Sequence, residues 1–450
     1  MQAHVLVEVK AKSIDKTFTY QIPDNMEVLV GQRVLVPFGN RNVEGFVLKV
    51  ENNQKYDYKL KEIIKKIDEK PVINKEMLEL GKYISKKTLS PLIAAYQTML
   101  PRALKAKKNN QINKKIITYL KVIKEIDFTT DKQKEVYNYI LKKKEASKKE
   151  ANKISASAVK TLINKKCIEE VQKEVYRLEE NIKEEKLDFE LTDEQEKVLQ
   201  SISLKKFNPY LIHGVTGSGK TLVYIKLIER VIKDKKQAIL LVPEISLTPQ
   251  VAMIFKKHFG NKVAVLHSAL SDGEKYDEWR KIEKKEVSIV IGARSAIFAP
   301  LKDLGIVVID EEHTATYKQD NHPRYNAKDV AIIRGKYNNC PVLLGSATPS
   351  LESFARATNG VYKLLTLTKR AGNGKLPLVN IVDMKDEIKR GNFVLSKMLI
   401  DKINDRLIKN EQVILLLNRR GYSSMLTCKD CGSVLKCPNC DISLTYHKTS

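Results

Sequence analysis

The stretch NPYLIHGVTGSGKT at 208–221 decides how this chain is read. A short apolar run, Tyr210-Leu211-Ile212, feeds a glycine-rich turn that reads G-x-x-x-x-G-K-T through Gly214, Val215, Thr216, Gly217, Ser218, Gly219, Lys220 and Thr221. An apolar-periodic segment follows at 222–231, so the order is strand, loop, helix. Glycines let the backbone curl until its N–H groups point at phosphate oxygens, and the helix N-terminus adds its dipole. Lys220 then reaches the β and γ phosphates, and the Thr221 hydroxyl holds Mg²⁺. A chance glycine-rich loop is the alternative, and the flanking strand and helix weigh against it.

A second stretch completes the site. Ile306-Val307-Val308-Ile309 is the apolar run of a buried parallel strand, and it ends in Asp310-Glu311-Glu312-His313. Three carboxylates there repel one another unless a cation is present. Asp310 is the Mg²⁺ partner, through water, and Glu311 orients and deprotonates the attacking water. A solvated acidic strand end is the alternative if the stretch stood alone. Paired with the phosphate loop, it implies an ATP-driven motor core.

Around this core, strands are expected at 210–213, 238–242, 263–267, 288–292, 306–309 and 341–345 with helices between them. That is a doubly wound parallel sheet with its motifs at the carboxyl ends of strands. Leu191-Thr192-Asp193-Glu194-Gln195 opens the first helix as a capping box, and Gln195 is either an adenine reader or a surface residue. VPEISLTPQ (242–250) and GARSA (292–296, with Arg294) offer helix N-termini and hydroxyls to a phosphate backbone. GSATP (345–349) places two hydroxyls where they sense a γ-phosphate. TYKQDNHPRYN (316–326) supplies Tyr317, Lys318, Arg324 and Tyr325 for base stacking and phosphate contact, an ordinary surface loop being the alternative.

Upstream, 1–104 reads as a β-rich module, with short β-branched runs at 4–9, 18–22, 32–36 and 44–50 separated by turn residues, then helices at 75–85 and 91–99. Pro91 suits a first helical position. Phe18 and Tyr20 share a face and serve either stacking or core. The segment 105–187 reads as helical and basic, and 102–166 carries nineteen Lys or Arg against six Asp or Glu, half of the net charge of +26. Helices at 132–140, 147–152 and 155–164 and a hairpin across 167–176 follow the winged-helix order. The acidic run 179–190 reads as a linker into the motor core at 188–373. The charge suits nucleic acid, an anionic membrane surface or acidic partners.

From 374 to 450 a second α/β lobe begins, marked by Val379-Asn380-Ile381-Val382-Asp383, a helix at 396–408 and a strand at 413–417. Cys428-x₂-Cys431-x₅-Cys437-x₂-Cys440 presents two C-x-x-C knuckles, a Zn²⁺ signal, although the five-residue gap is shorter than a usual ribbon and an iron–sulfur cluster is the minor alternative. The six cysteines do not form a secreted disulfide framework. No signal peptide or membrane-length apolar run is evident, so a cytoplasmic protein is expected. The fold class is therefore multidomain α/β: a β-rich DNA-binding domain, a winged helix, a RecA-like P-loop lobe with a parallel sheet, and the start of a second lobe with a Cys-rich zinc region.

GVTGSGKT, LVPEISLTPQ, GARSA, DEEH, YKQDNHPRYNAKD, GSATPSLES, LLNRRGYSS and the cysteine spacing, in this order, resemble the primosomal protein N′ family, the replication-restart helicases of superfamily 2. The resemblance covers essentially the whole chain. It implies recognition of forked DNA and of the 3′ end of the nascent leading strand, unwinding with 3′-to-5′ polarity, and reloading of the replicative helicase. It also implies partners among single-strand-binding protein, other primosome proteins and the replicative helicase or its loader, with no membrane. Carried over, the 3′-end pocket involves Phe18, Thr19, Gly39 and Lys61. Family members often have Asp where Thr19 stands, so base discrimination through that carboxylate is not expected here. The family's cysteine region holds two zinc ions with eight cysteines, and here there are four. About seventy-five residues follow Gly374, too few for a full second lobe with its arginine finger. Loss of that finger typically costs about 10³ to 10⁵ in rate, so the chain is expected to bind ATP and DNA but to hydrolyse and unwind poorly. Two other readings are a superfamily 2 translocase on double-stranded DNA and a structure-specific DNA-binding module without unwinding.

Overall fold

The computed structural model describes residues 1–9, 15–52, 59–106, 112–125, 127–178, 184–185, 190–243, 248–370, 377–392, 394–416 and 433–434, with the side chains of 248–250 excepted. It divides into two units, Met1–Asn373 and Gly374–Ser450.

The first unit opens with β1 (Gln2–Val7), β2 (Thr17–Gln21), β3 (Arg33–Phe38), β4 (Arg41–Glu51) and β5 (Lys65–Lys66), an antiparallel sheet in the order β2-β1-β4-β3-β5. Alternation sends Val5, Tyr20, Val34, Val36 and Val47 into one small core. Tyr20 is therefore core, and Phe18 lies half-buried at its rim. On the other face Leu6 and Phe46 meet α1 (Lys75–Thr88) and α2 (Leu92–Met99). Asn74 caps α1 by accepting from Met77 N–H at 2.8 Å. Pro91 caps α2 from outside, one position before its expected place, because a ψ of 141° is extended rather than helical.

Next come β6 (Lys115–Val122), α3 (Asp131–Lys143), β7 (Glu145–Ser147), α4 (Lys148–Asn164) and β8 (Ile168–Val175), with a sheet in the order β7-β6-β8. Ser155 breaks α4 with extended backbone, and its hydroxyl accepts from Ala158 N–H at 3.2 Å, so the three expected helical segments are present. The expected hairpin is not. No turn residue interrupts Val171-Gln172-Lys173, and the run continues as one strand antiparallel to β6, whose β-prone run Ile116 to Leu120 lies inside a segment that reads as helical overall.

The third part contains α5 (Asp193–Ser201), β9 (Pro209–Gly214), α6 (Lys220–Lys233), β10 (Gln237–Leu241), α7 (Thr248–Phe259), β11 (Val263–Leu266), α8 (Asp272–Glu283), β12 (Ile289–Gly292), β13 (Leu304–Ile309), α9 (Ala327–Tyr337), β14 (Val342–Ser346), α10 (Leu351–Thr358) and β15 (Lys363–Leu367). The seven strands are all parallel, in the order β11-β12-β10-β13-β14-β9-β15. The six expected strands are there. The seventh, β15, is an edge strand with only its last residue buried, so it lacks the apolar run that marks the others.

Side chains from α1 and α2 share one apolar core with the sheet's helices and strands, including Tyr96, Ile297, Phe298, Val330 and Leu344. Within that seam Glu76 of α1 pairs bidentately with Arg334 of α9 at 2.7 and 3.0 Å. Asn338 donates to Glu76 at 2.8 Å, and the carbonyls of Ile297 and Ala299 accept from Arg334. Beyond β8, Arg177 donates to Asp277 of α8 at 2.9 Å, and Arg280 bridges Asp277 and Glu174 at 2.8 Å each.

The second unit contains α11 (Met384–Lys389) and α12 (Lys397–Ile408), capped by Ser396. The strand expected at 413–417 does not form over its described residues, 413–416, and 379–383 is likewise without strand. Ile381 and Ile414 are each 95% exposed, since a lone apolar run without a neighbouring ladder has no partner for its backbone. Among the described residues no helix is long and apolar enough to cross a membrane.

The Glu76–Arg334 pair yields a stability prediction. Removing one partner leaves a buried charge uncompensated, so Glu76→Ala should cost about 3–5 kcal/mol in a denaturant titration. Replacing both residues with leucine should cost less than either single truncation.

Candidate nucleotide site and coupling loop

In the sheet β14 lies between β9 and β13, so the phosphate loop, the Gly345–Ser346 strand end and Asp310 line one edge. The loop turns through Gly217 (φ +80°) and Gly219 (φ +78°), conformations that suit glycine. Gly219 caps α6 without a side chain, so the Lys220 and Thr221 N–H groups are left for an anion, while Leu222 N–H turns back to Gly219 O at 3.0 Å. By contrast, Thr192 and Gln195 form a full capping box on α5. Lys220 is buried and donates to Gly214 O at 2.8 Å. Ser218 Oγ is buried with no hydrogen-bond partner among the described residues, and a side chain on Gly217 would meet nothing closer than Arg370 at 3.9 Å. An uncapped helix start, an open cradle and an orphaned hydroxyl fit a bound phosphate. Thr221, half-buried in the first turn of α6, and Asp310 are the residues available to Mg²⁺.

Gln195 is not a surface residue. It is 1% exposed, its side-chain carbonyl accepts from Thr192 N–H at 3.0 Å, and its amide donates to Ser218 O at 2.9 Å. It therefore braces the phosphate loop from behind.

Burial, and then the neighbouring Glu311 charge, pushes the Asp310 carboxyl above the usual carboxylate range. Two phenols hold the residue. Tyr224 of α6 donates to Asp310 Oδ1 at 3.1 Å, and Tyr317 donates to the Asp310 carbonyl at 2.6 Å. Burial raises both phenols well above their ordinary value, so they remain donors. Glu311 follows with a left-handed φ of +46°, uncommon for a residue with a side chain, and its half-exposed carboxylate lies 3.6 Å from His313 Nδ1. The turn sends Glu312 inward. It is fully buried and accepts from Lys328 at 2.7 Å, Ser350 N–H at 2.7 Å and Ser353 Oγ at 2.8 Å. Burial opposes its ionisation, yet these donors hold its carboxyl below the usual range. The cation expected among the three carboxylates is thus in part the protein's own Lys328. Ser346 Oγ lies 2.8 Å from His313 Nδ1 and accepts from Thr348 N–H at 2.9 Å, which ties the third strand end to the acidic one.

The loop at 315–326 packs beside this edge. Tyr317 and Tyr325 are 1% and 3% exposed, so in this conformation neither ring is free for the stacking expected of it. Arg294 braces the loop, donating to Thr316 O at 3.2 Å and Lys318 O at 2.7 Å and lying over the Tyr325 ring at 5.8 Å. Lys318 and Arg324 are exposed, and with Lys87 and Tyr83 of α1 they line a cleft of about 220 Å³. Sequence reading missed Tyr224, Lys328 and Lys87, each of which gains a role only from tertiary packing.

In the N-terminal module Phe18 meets Phe38 edge-on at 5.0 Å, next to Gly39, which has a φ of +58° and no atom within 4 Å of where a side chain would begin. Thr19 points to the other face, with its hydroxyl 3.3 Å from His4 Nδ1. Exposed Lys61 offers its carbonyl to Gln21 N–H at 2.9 Å. Phe18 and Gly39 thus come together, while the Thr19 side chain does not join them. Cys428, Cys431, Cys437 and Cys440 lie outside the described residues, as do Glu244 to Leu247 and the 417–424 stretch.

Comparison with known proteins adds two matches to family models, a 3′ DNA-binding domain over residues 4–101 and a DEAD/DEAH box helicase over 192–357. The chain is 40% identical to replication restart protein PriA of Bacillus subtilis, over 99% of this chain and 66% of the relative. It is 36% identical to the protein of that name from Chlamydia muridarum (100% of this chain, 62% of the relative) and 34% identical to that from Haemophilus influenzae (97% and 62%). The chain thus spans somewhat under two thirds of the length of these relatives.

Removing the Lys220 ammonium should cost a charge-assisted hydrogen bond to phosphate. Lys220→Ala is expected to weaken nucleotide binding by roughly 10- to 100-fold in a fluorescence titration, with the melting temperature little changed.

Proposed function

The chain belongs to the family of replication restart protein PriA, and from that membership we propose that it is an ATP-dependent DNA helicase acting at stalled or repaired replication forks. In this reading it moves 3′ to 5′ and initiates primosome assembly. One observation carries it: the part matching a 3′ DNA-binding domain and the part matching a helicase share a single core, locked by the Glu76–Arg334 pair. A domain that reads a DNA end is thereby built into the lobe that holds ATP.

ATP is the phosphoryl donor to water, and a bound Mg²⁺ would neutralise negative charge on its phosphates. Lys220 and the first-turn amides of α6 would bind the phosphates, and Thr221 and Asp310 would hold the metal. Glu311, turned outward by its left-handed backbone, orients the attacking water and accepts its proton. Ser346 and His313 connect the phosphate side of the site to the acidic turn. Lys318 and Arg324, exposed on a loop braced by Arg294, contact DNA phosphates. Phe18 and Gly39 form the 3′-end pocket with Lys61, which lies before β5, while the Thr19 side chain stays on the other face of β2 beside His4.

The parts are a DNA-end domain at 1–104, a winged-helix domain and linker at 105–187, helicase lobe 1 at 188–373, and the start of lobe 2 at 374–450 with Zn²⁺ on its four cysteines. The partners are forked and single-stranded DNA, single-strand-binding protein, other primosome proteins and the replicative helicase or its loader, in the cytoplasm.

Binding assays on model forks test this reading. A fork with a free 3′ end at its junction should bind more tightly than one ending in a 3′ phosphate, and Lys220→Ala should keep that preference while losing all response to nucleotide. Any strand separation should require a 3′ single-stranded tail and vanish in Lys220→Ala. Fork binding no tighter than to blunt duplex, or separation that survives the substitution, would sink the proposal.

A further inference from the structure

We propose that Tyr224 is a positioning residue for the metal: its phenol holds the Asp310 carboxylate in the orientation that receives Mg²⁺. The inference rests on the reading of 214–221 and Asp310 as a Mg²⁺–nucleotide site. Tyr224 stands four residues after Lys220, one turn along the same face of α6. The helix that begins at the phosphates thus also carries the group that reaches the acidic strand end. Its ring is 1% exposed in the core under the sheet, and its hydroxyl crosses to Asp310 Oδ1 at 3.1 Å. A buried hydroxyl needs a partner, and this one has the carboxylate.

An independent observation marks the same point. A Cβ on Gly345, at the end of β14, would lie 1.7 Å from the Tyr224 oxygen and 3.5 Å from Asp310 Oδ1. Residue 345 therefore lacks a side chain where the phenol passes. Three elements, α6, β13 and β14, converge on one oxygen atom, and each carries one of the motifs of the nucleotide site. A tyrosine that only filled core would need neither the bond to Asp310 nor the gap at residue 345.

A carboxylate with one oxygen fixed by a donor presents the other in a defined direction, and outer contacts of this kind typically contribute about tenfold or more to metal affinity. Tyr224→Phe keeps the ring and removes only the donor. The test is binding of a fluorescent ADP derivative, titrated with Mg²⁺ and repeated in EDTA. In Tyr224→Phe the Mg²⁺ concentration giving half of the metal-dependent gain should rise about tenfold, while affinity in EDTA stays at the wild-type level. Gly345→Ala keeps the tyrosine but places a methyl where the phenol sits, so it should shift the Mg²⁺ titration the same way and decides the matter if Tyr224→Phe does not fold. A Tyr224→Phe variant that merely melts lower, with an unchanged Mg²⁺ titration, overturns the positioning role and leaves the nucleotide site standing. Wild-type protein whose nucleotide binding ignores Mg²⁺ overturns both.

Discussion

An all-parallel sheet delivers every strand's carboxyl end to one edge, and the chemistry of this protein depends on that constraint. β9 brings the phosphate loop there, β13 brings Asp310, and β14 between them brings Gly345 and Ser346. None of these segments is near another in sequence. Once the strand order is fixed, short side chains suffice to connect them: a phenol from α6 to Asp310, a hydroxyl from Ser346 to His313, an amide from Gln195 to Ser218. The buried apolar strands provide the stability, and the polar strand ends are free to carry function.

The same logic explains the seam between the N-terminal module and the lobe. A buried ion pair gains little net stability, because desolvation offsets the Coulomb attraction. Glu76 and Arg334 are nevertheless saturated, with Asn338 on the carboxylate and two carbonyls on the guanidinium. Such a network fits one relative placement of α1 against α9 and no slipped alternative. On the proposed reading, that fixes the DNA-end domain against the motor.

Much of this was legible in the sequence where local chemistry sets the outcome. The loop spacing, the apolar run before Asp310, the capping box at Thr192 and six of seven strands follow from residue type and period. What was hidden depends on partners far along the chain. Glu312 looked like one of three mutually repelling carboxylates, and only the fold brings Lys328 and Ser353 to it. Tyr317 and Tyr325 looked like exposed stacking platforms because a short irregular loop has no periodicity to reveal a buried face. β6 carries a β-prone run, Ile116-Ile117-Thr118-Tyr119-Leu120, inside a lysine-rich segment whose overall pattern reads as helical. Arg294, read as a DNA contact, also donates through one guanidinium nitrogen to two loop carbonyls.

The burial of those tyrosines changes what the loop can transmit. A flexible loop with exposed rings could contact DNA and still leave the ATP edge undisturbed. This loop begins with a phenol that donates to the carbonyl of Asp310 itself, is tied at Thr316 to Pro243 O at 2.9 Å, and is clamped by Arg294. Its exposed cations, Lys318 and Arg324, lie on the same short segment as its buried anchors. On the proposed reading, a load on those cations is passed to these anchors, because packed interiors switch between discrete arrangements rather than stretch. In that reading, a movement of this loop acts on the Tyr317–Asp310 hydrogen bond, where the proposed DNA contacts and the proposed metal-binding residue meet.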